Sequence, residues 1–149
     1  MTATLRGIFF EGRFAGPASA AQIQKAERDL GITLPEPLRR LYAECDGFRE
    51  PRGNAKYLLS LATEDHVGSL PTVTRFWWHE WPKEAAPDWK LDFRPFVFFG
   101  FSSGDKVWGM RLAAPHDIIA YHHNMEGEWE SVGDDILALY QRDQTMYPA

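Results

Sequence analysis

The feature that most constrains the fold is an unbroken apolar run near residue 100. Residues 96–101 read FVFFGF, and the turn-forming sequence SSGD follows at 102–105. An apolar run of this length without alternation is typical of a β-strand buried on both faces. The turn sequence predicts a hairpin whose returning strand covers residues 106–112. Residues 96–112 are therefore expected to form a β-hairpin.

Two helices are predicted ahead of this hairpin. Ser19 and Gln22 have the spacing of a capping box, and Gly31 marks the end of the first helix. Residues 35–37, PEP, suit the first turn of the second helix, where a missing N–H group costs nothing. Gly47 is expected to end that helix in a left-handed cap. The inner faces carry Ile23, Ala26 and Leu30 in the first helix and Leu38, Leu41, Tyr42 and Cys45 in the second.

The remaining elements are shorter. They are predicted as strands at residues 57–61, 118–122 and 129–132, and a final helix from Asp134 or Asp135 through Arg142. Residues 63–92 fit either one short helix or an ordered loop. This order predicts an α+β fold with a mainly antiparallel sheet of four to six strands. Two N-terminal helices and a C-terminal helix are expected to pack against one face of it, in a single domain over residues 1–149.

Charge and hydropathy exclude several classes of partner. The chain has a net charge of -5, and its 16 lysines and arginines are dispersed. This distribution repels phosphate backbones and argues against nucleic-acid binding, whereas it suits a basic protein partner. No apolar stretch approaches the roughly 20 residues of a membrane span, and the N-terminus does not resemble a signal peptide. We therefore expect a soluble cytoplasmic protein.

Candidate catalytic and metal-binding residues are few. Cys45 is the only cysteine, so an intramolecular disulfide and a multi-thiolate zinc site are both excluded. It lies on the apolar face of the second helix, where a cysteine is usually an inert core residue. His122 and His123 are adjacent in a predicted strand, so they should point to opposite faces and not share one ion. His79 lacks a second histidine one turn later, since Lys83 stands there.

Two other patterns have ordinary structural explanations. Residues 100–106, GFSSGDK, fit a hairpin turn better than a phosphate-binding loop, because a strand follows them. The acidic pairs Glu64-Asp65 and Asp134-Asp135 are more typical of helix caps than of a catalytic dyad. We therefore predict no catalytic residues, no cofactor and no metal site.

The heptad RFWWHEW, residues 75–81, holds three of the six tryptophans; we call it the tryptophan-rich segment. In either a helix or a strand, at least one large ring should lie at or near the surface. Exposed tryptophan beside arginine and glutamate is typical of protein-binding hot spots. The alternative is a lid packed over the sheet edge and fixed by Pro71 and Pro82. The candidate protein-binding residues are Arg75, Trp77, Trp78, Glu80 and Trp81.

The helix pair also carries a family motif. In order and spacing it resembles the N-terminal motif of the SMI1/KNR4 (SUKH) family. The motif positions are Ile23, Glu27, Leu30-Gly31, Leu34-Pro35, Leu41 and Asp46-Gly47. Residues 98–108 resemble the family's strand, glycine-rich turn and strand, and residues 118–123 and 135–137 resemble its later strand and closing helix. Residues 48–94, which include the tryptophan-rich segment, have no counterpart in these motifs.

The resemblance implies an α+β fold without enzymatic activity. Bacterial members of the family are implied to be immunity proteins that bind and neutralise toxins, many of them nucleases. Fungal relatives are scaffold-like regulators. The leading hypothesis is therefore a bacterial immunity protein whose partner is a toxin domain. A scaffold or regulatory module with an endogenous partner is the alternative, and a small hydrolase using His122 or His123 is a remote one.

Overall fold

The computed structural model describes residues 13–49, 57–63, 68–85, 88–89 and 91–146. Its helices are α1 (Ala20–Leu30), α2 (Glu36–Glu44), α3 (Leu70–Arg75), α4 (Trp81–Glu84) and α5 (Ile136–Met146). Its strands are β1 (Arg13–Phe14), β2 (Phe48–Arg49), β3 (Phe96–Phe101), β4 (Val107–Arg111), β5 (Ile118–Tyr121) and β6 (Glu130–Ser131). A π-helical turn (Phe76–Glu80) joins α3 to α4, and a 3-10 turn (His123–Met125) follows β5.

The strands form an antiparallel four-stranded sheet in the order β3-β4-β5-β6, and β1 pairs with β2 in a separate antiparallel ribbon. The predicted α+β class and mainly antiparallel sheet are confirmed. Among the described residues, no helix is long and apolar enough to cross a membrane. The sequence also predicts a loop over residues 49–56; Arg49 instead lies in β2, and residues 50–56 lie outside the described residues.

The first helix begins and ends as its sequence predicts. The Ser19 hydroxyl accepts from the Gln22 N–H at 3.1 Å, and the Gln22 amide oxygen accepts from the Ser19 N–H at 2.8 Å. Gly31 closes the helix with φ 68°. Both signals are local, so the sequence alone was sufficient to place these ends.

The predicted end of α2 is wrong. The helix stops at Glu44, and Cys45 is extended with φ −158°. The reason is a buried carboxylate: Asp46 accepts hydrogen bonds from the Ser60 hydroxyl at 2.8 Å and the Leu61 N–H at 2.7 Å. Gly47 has φ 122° and lies beside this junction, outside the helix. A contact with a segment 14 residues away therefore ends the helix earlier than the local turn signal indicates.

The strand predicted at residues 57–61 is reduced to one β-bridge, between Leu58 and Phe48. The segment is buried, but its backbone groups bond to other elements: the Leu59 N–H donates to the Phe99 carbonyl at 2.7 Å. The Ser60 carbonyl accepts from Leu70 at 2.9 Å. Because these groups bond in different directions, no continuous ladder forms along the segment.

Tyrosines tie the helices to one face of the sheet. The Tyr42 hydroxyl donates to the Leu59 carbonyl at 2.6 Å, and the Tyr140 hydroxyl donates to the Tyr57 carbonyl at 2.8 Å. Tyr57 and Tyr140 stack at 5.2 Å, and both rings contact Trp108 of β4. We call this side of the sheet the helix-covered face. The predicted covering of one face by helices is thereby explained in terms of specific rings.

These tyrosines predict how stability depends on alkaline pH. Burial raises the pKa of the Tyr42 and Tyr140 phenols well above the usual value of 10.0. Below pH 10 both phenols are neutral in the folded and unfolded chain, so they contribute no pH dependence. Above it the unfolded chain releases protons that the folded chain retains, and stability falls by about 1.4 kcal/mol per pH unit per phenol. Free energies of unfolding measured in urea above pH 10 should fall less steeply with pH in the double variant Tyr42→Phe/Tyr140→Phe than in the wild type. An unchanged dependence on pH would contradict the assignment.

The opposite face of the sheet allows a packing test. An added Cβ at Gly109 would lie 2.8 Å from the Phe98 ring and 3.3 Å from the Phe96 Cβ. Gly109→Ala should therefore lower the free energy of unfolding by about 1–3 kcal/mol, because neighbouring rings must shift. Gly16→Ala is the matched control, since nothing lies within 4 Å of its added Cβ. Equal stability of the two variants in denaturant unfolding would show that the ring packing is loose.

Candidate functional site

The tryptophan-rich segment lies on a continuous helical stretch from Leu70 to Glu84. Ser69 caps its start by accepting from the Thr72 N–H at 3.3 Å. Within the segment the helix widens into the π turn, where the Trp81 N–H donates to the Phe76 carbonyl five residues earlier. Of the two predicted alternatives for this region, helix is therefore the correct one. Single π turns occur often at functional sites.

The inner side of this helical stretch covers the free edge of β3. The Thr74 hydroxyl accepts from the Phe98 N–H at 3.0 Å and donates to the Phe98 carbonyl at 3.2 Å. The Trp78 indole N–H donates to the Phe96 carbonyl at 2.7 Å. Thr74 and Trp78 are four residues apart on the helix, and their partners Phe98 and Phe96 are two apart on the strand. Both steps advance the chain by about 6 Å, so the two sets of groups match. Side chains thus satisfy outward backbone groups of an edge strand that would otherwise be open to pairing.

Trp77 lies over the face of the sheet opposite the helix-covered face, which we call the second face. Its ring contacts five other aromatic rings at centroid distances of 5.2 to 5.8 Å, those of Phe76, Trp81, Phe93, Phe98 and Tyr121. Trp129, just ahead of β6, extends this ring cluster by packing on Phe93 and Phe96. Phe96 and Phe98 are therefore buried between the strand and this cluster, as their apolar run predicts. Helices at one face and aromatic rings at the other complete the core.

The outward side of the segment is exposed. Arg75, His79 and Glu80 are exposed, and Phe76 is 37% exposed, the one large hydrophobic side chain so exposed in the described part of the chain. We call these four residues the outer face. Glu80 forms a loose ion pair with Lys83 at 3.6 Å. The outer face thus presents an aromatic ring flanked by charges of both signs.

Trp81 lies between the buried ring cluster and the exposed outer face. It is half-buried, and its ring contacts those of Trp77 and Tyr121. Its indole N–H is buried beside the Tyr121 hydroxyl, which donates to the Glu126 carbonyl and keeps its lone pairs available to accept from Trp81. Trp81 therefore belongs to the ring cluster, while part of its side chain remains exposed.

The five candidate residues are thus divided by the helix. Trp78 is 7% exposed and faces the β3 edge, whereas Arg75 and Glu80 face outward. Trp77 and Trp81 lie between these extremes, in the ring cluster. Sequence reasoning missed Thr74, because its bonds to Phe98 cross 24 residues of chain and have no local sequence signal. It also left Phe76 out of the candidates.

The other candidate residues that the structure describes have structural roles. No group of three or more His, Cys, Asp or Glu in the described ranges could hold a metal ion. Cys45 is buried, as predicted for a core residue. The Asp135 carboxylate accepts from the Ala138 N–H at 3.1 Å and so caps α5, as predicted. The pair Glu64-Asp65 lies outside the described residues.

The prediction that His122 and His123 point to opposite faces is wrong. The strand ends at Tyr121, and His123 begins the 3-10 turn, so strand alternation does not apply. The two rings lie 4.0 Å apart. The His122 Nδ1 accepts from the Asn124 N–H at 3.1 Å, which caps the turn. The histidines therefore act in turn formation, with no third ligand near them in the part of the chain that is described.

Comparison with models of protein families gives a match over most of the chain. The family model described as SMI1 / KNR4 family (SUKH-1) matches residues 17–141. The matched region spans α1 through most of α5 and includes residues 48–94, which the sequence motifs had left without a counterpart. A search of curated proteins gave no match.

Proposed function

Because the chain belongs to the SMI1/KNR4 (SUKH-1) family, we propose that it is a non-enzymatic immunity protein of the bacterial cytoplasm. It binds a toxin domain and neutralises it by covering the toxin's active site. The outer face of the tryptophan-rich segment is the proposed contact surface. The observation that supports this choice is the exposed ring of Phe76, placed between Arg75 and Glu80 on a helix whose inner side is fixed to the sheet.

Rigidity is what makes this helix suitable for binding. Three side-chain hydrogen bonds join Thr74 and Trp78 to the backbone of β3. Phe76 packs edge-on against Trp77 at 5.2 Å, so its ring is held while one side stays exposed. An aromatic anchor that is already ordered loses little conformational entropy on binding. Aromatic and arginine side chains are also the types enriched in binding hot spots.

The five candidate residues take different roles in this proposal. Arg75 and Glu80 contact the partner directly, together with Phe76. Trp77 supports the Phe76 ring, and Trp78 anchors the helix from beneath. Trp81 contacts the partner with the exposed part of its ring. The net charge of -5 favours encounter with a basic toxin domain, such as a nuclease that must itself attract phosphate.

Co-expression tests the proposed function. The toxin domain encoded beside this gene is expressed in a host cell, with and without this chain. Growth should be restored by the wild-type chain and not by a distantly related member of the same family. Equal growth inhibition with and without this chain would overturn the immunity function and favour the scaffold alternative. In that case, affinity purification from the native organism would recover a housekeeping partner.

A further inference from the structure

A second surface feature lies on the helix-covered face of the sheet, whereas the tryptophan-rich segment covers the β3 edge and the second face. A cavity of about 100 Å³ opens between the β3–β4 turn, β6 and α5. Its apolar wall includes Trp108, Ala120, Val132 and Leu139. Ala120 pairs with Trp108 on one side and Glu130 on the other. The cavity forms at Ala120 because its side chain is smaller than those of its cross-strand neighbours, Trp108 and Glu130.

A buried carboxylate lines this cavity. Asp143 of α5 is 8% exposed, and its Oδ2 accepts from the Ser103 N–H at 3.0 Å. A carboxylate can accept about four hydrogen bonds, and within the described residues this is the one that Asp143 receives. A charge held away from water with most of its acceptor capacity unused favours a cation beside it.

Two basic side chains line the cavity, but neither forms an ion pair with Asp143 among the described residues. Lys106 lines the cavity but pairs with Glu130 at 2.8 Å. Arg142 also lines it and is exposed, so its attraction for an anion is screened by water and salt. The more deeply buried charge is the carboxylate. The wall therefore combines an apolar surface with one buried negative group.

We infer that this cavity binds a basic side chain, lysine or arginine, presented by the partner protein. The aliphatic stem packs against Trp108 and Val132, and the cationic head reaches the Asp143 carboxylate. Long basic side chains bury their stems in this way while their charge stays paired or hydrated. An engineered apolar cavity of roughly 150 Å³ accepts benzene, so the available space suits a short aliphatic stem. The inference rests on the proposed function for the partner being a protein.

The test uses a small probe and needs no partner. n-Butylammonium is titrated into the full chain, and amide and indole shifts are followed by NMR at Ser103, Gly104 and Trp108. Saturable shifts at these groups are expected, whereas butyrate, with a similar stem and the opposite charge, should give none at the same concentration. Absent saturation, or an equal response to butyrate, would overturn the inference.

Variants separate charge from space. Asp143→Asn keeps an acceptor for the Ser103 N–H and removes the charge, so probe affinity should fall roughly tenfold or more. Glu84→Gln is the matched control: it makes the same charge change at the exposed end of α4 and should leave affinity unchanged. Ala120→Leu should fill the cavity and abolish the shifts. Unchanged affinity in Asp143→Asn would contradict the assignment. Because no toxin is present, failure here and failure of the immunity function are distinguishable.

Discussion

Trp78→Ala is expected to lower the free energy of unfolding by about 3–5 kcal/mol, the range for a large aromatic side chain removed from a core. The indole is 7% exposed, and its N–H holds the Phe96 carbonyl at 2.7 Å. Its loss would create a cavity and leave a carbonyl on the β3 edge without its partner. Because this contact holds the π turn between α3 and α4 against β3, the rings above the second face should also loosen. Denaturant unfolding measures the change.

Two further variants give this prediction its controls. Trp78→Phe keeps most of the apolar area and removes the N–H donor, so a smaller loss of about 1–3 kcal/mol is expected. Phe76→Ala removes an outward ring and should cost about 1 kcal/mol or less. A Trp78→Ala variant as stable as the wild type would show that this indole is not part of the core.

Phe76→Ala and Arg75→Ala should each weaken partner binding by about 2 kcal/mol, which is roughly thirtyfold in Kd. Both side chains lie on the outer face, so binding should fall without a matching loss of stability. Calorimetric titration of the toxin domain measures the affinity. Arg40→Ala, an exposed arginine of α2, is the charge-matched control and should bind as the wild type does. Full-strength binding by both outer-face variants would exclude this surface.

Trp77→Ala and Trp81→Ala should behave differently from the outer-face variants. Both rings belong to the cluster over the second face, and Trp77 also supports Phe76. We therefore expect these variants to lose stability and affinity together. The outer-face variants should lose affinity alone. Comparing the two effects in the same protein distinguishes a contact residue from a residue that holds a contact residue in place.

The parts of the fold that depend on local chemistry could be predicted from the sequence. The capping box at Ser19, the glycine end of α1 and the Asp135 cap each involve residues within one turn of each other. The β3–β4 hairpin was equally readable, because the apolar run and the turn sequence are adjacent. The errors arose where a distant group decides: Asp46 ends α2 through a bond to Leu61, and Leu59 bonds to Phe99.

The candidate site was only partly predictable for the same reason. Composition indicated that some rings of the tryptophan-rich segment would be exposed and others buried, but not which. The division depends on the π turn, which shifts the hydrogen bond of Trp81 by one residue relative to an α-helix. It depends also on Thr74 and Trp78 meeting the β3 edge, a contact across at least 18 residues of chain. Neither has a local sequence signal.

Titration of toxin activity with this protein measures the proposed neutralisation itself. The proposed partner, a toxin domain encoded beside the gene, is purified and assayed on its own substrate while the wild-type chain is added in increasing amounts. Toxin activity is expected to fall to the background level at a one-to-one ratio, and Phe76→Ala should require a large excess to achieve the same effect. Toxin activity that stays unchanged at equimolar and higher amounts of the wild-type chain would contradict the proposed neutralisation.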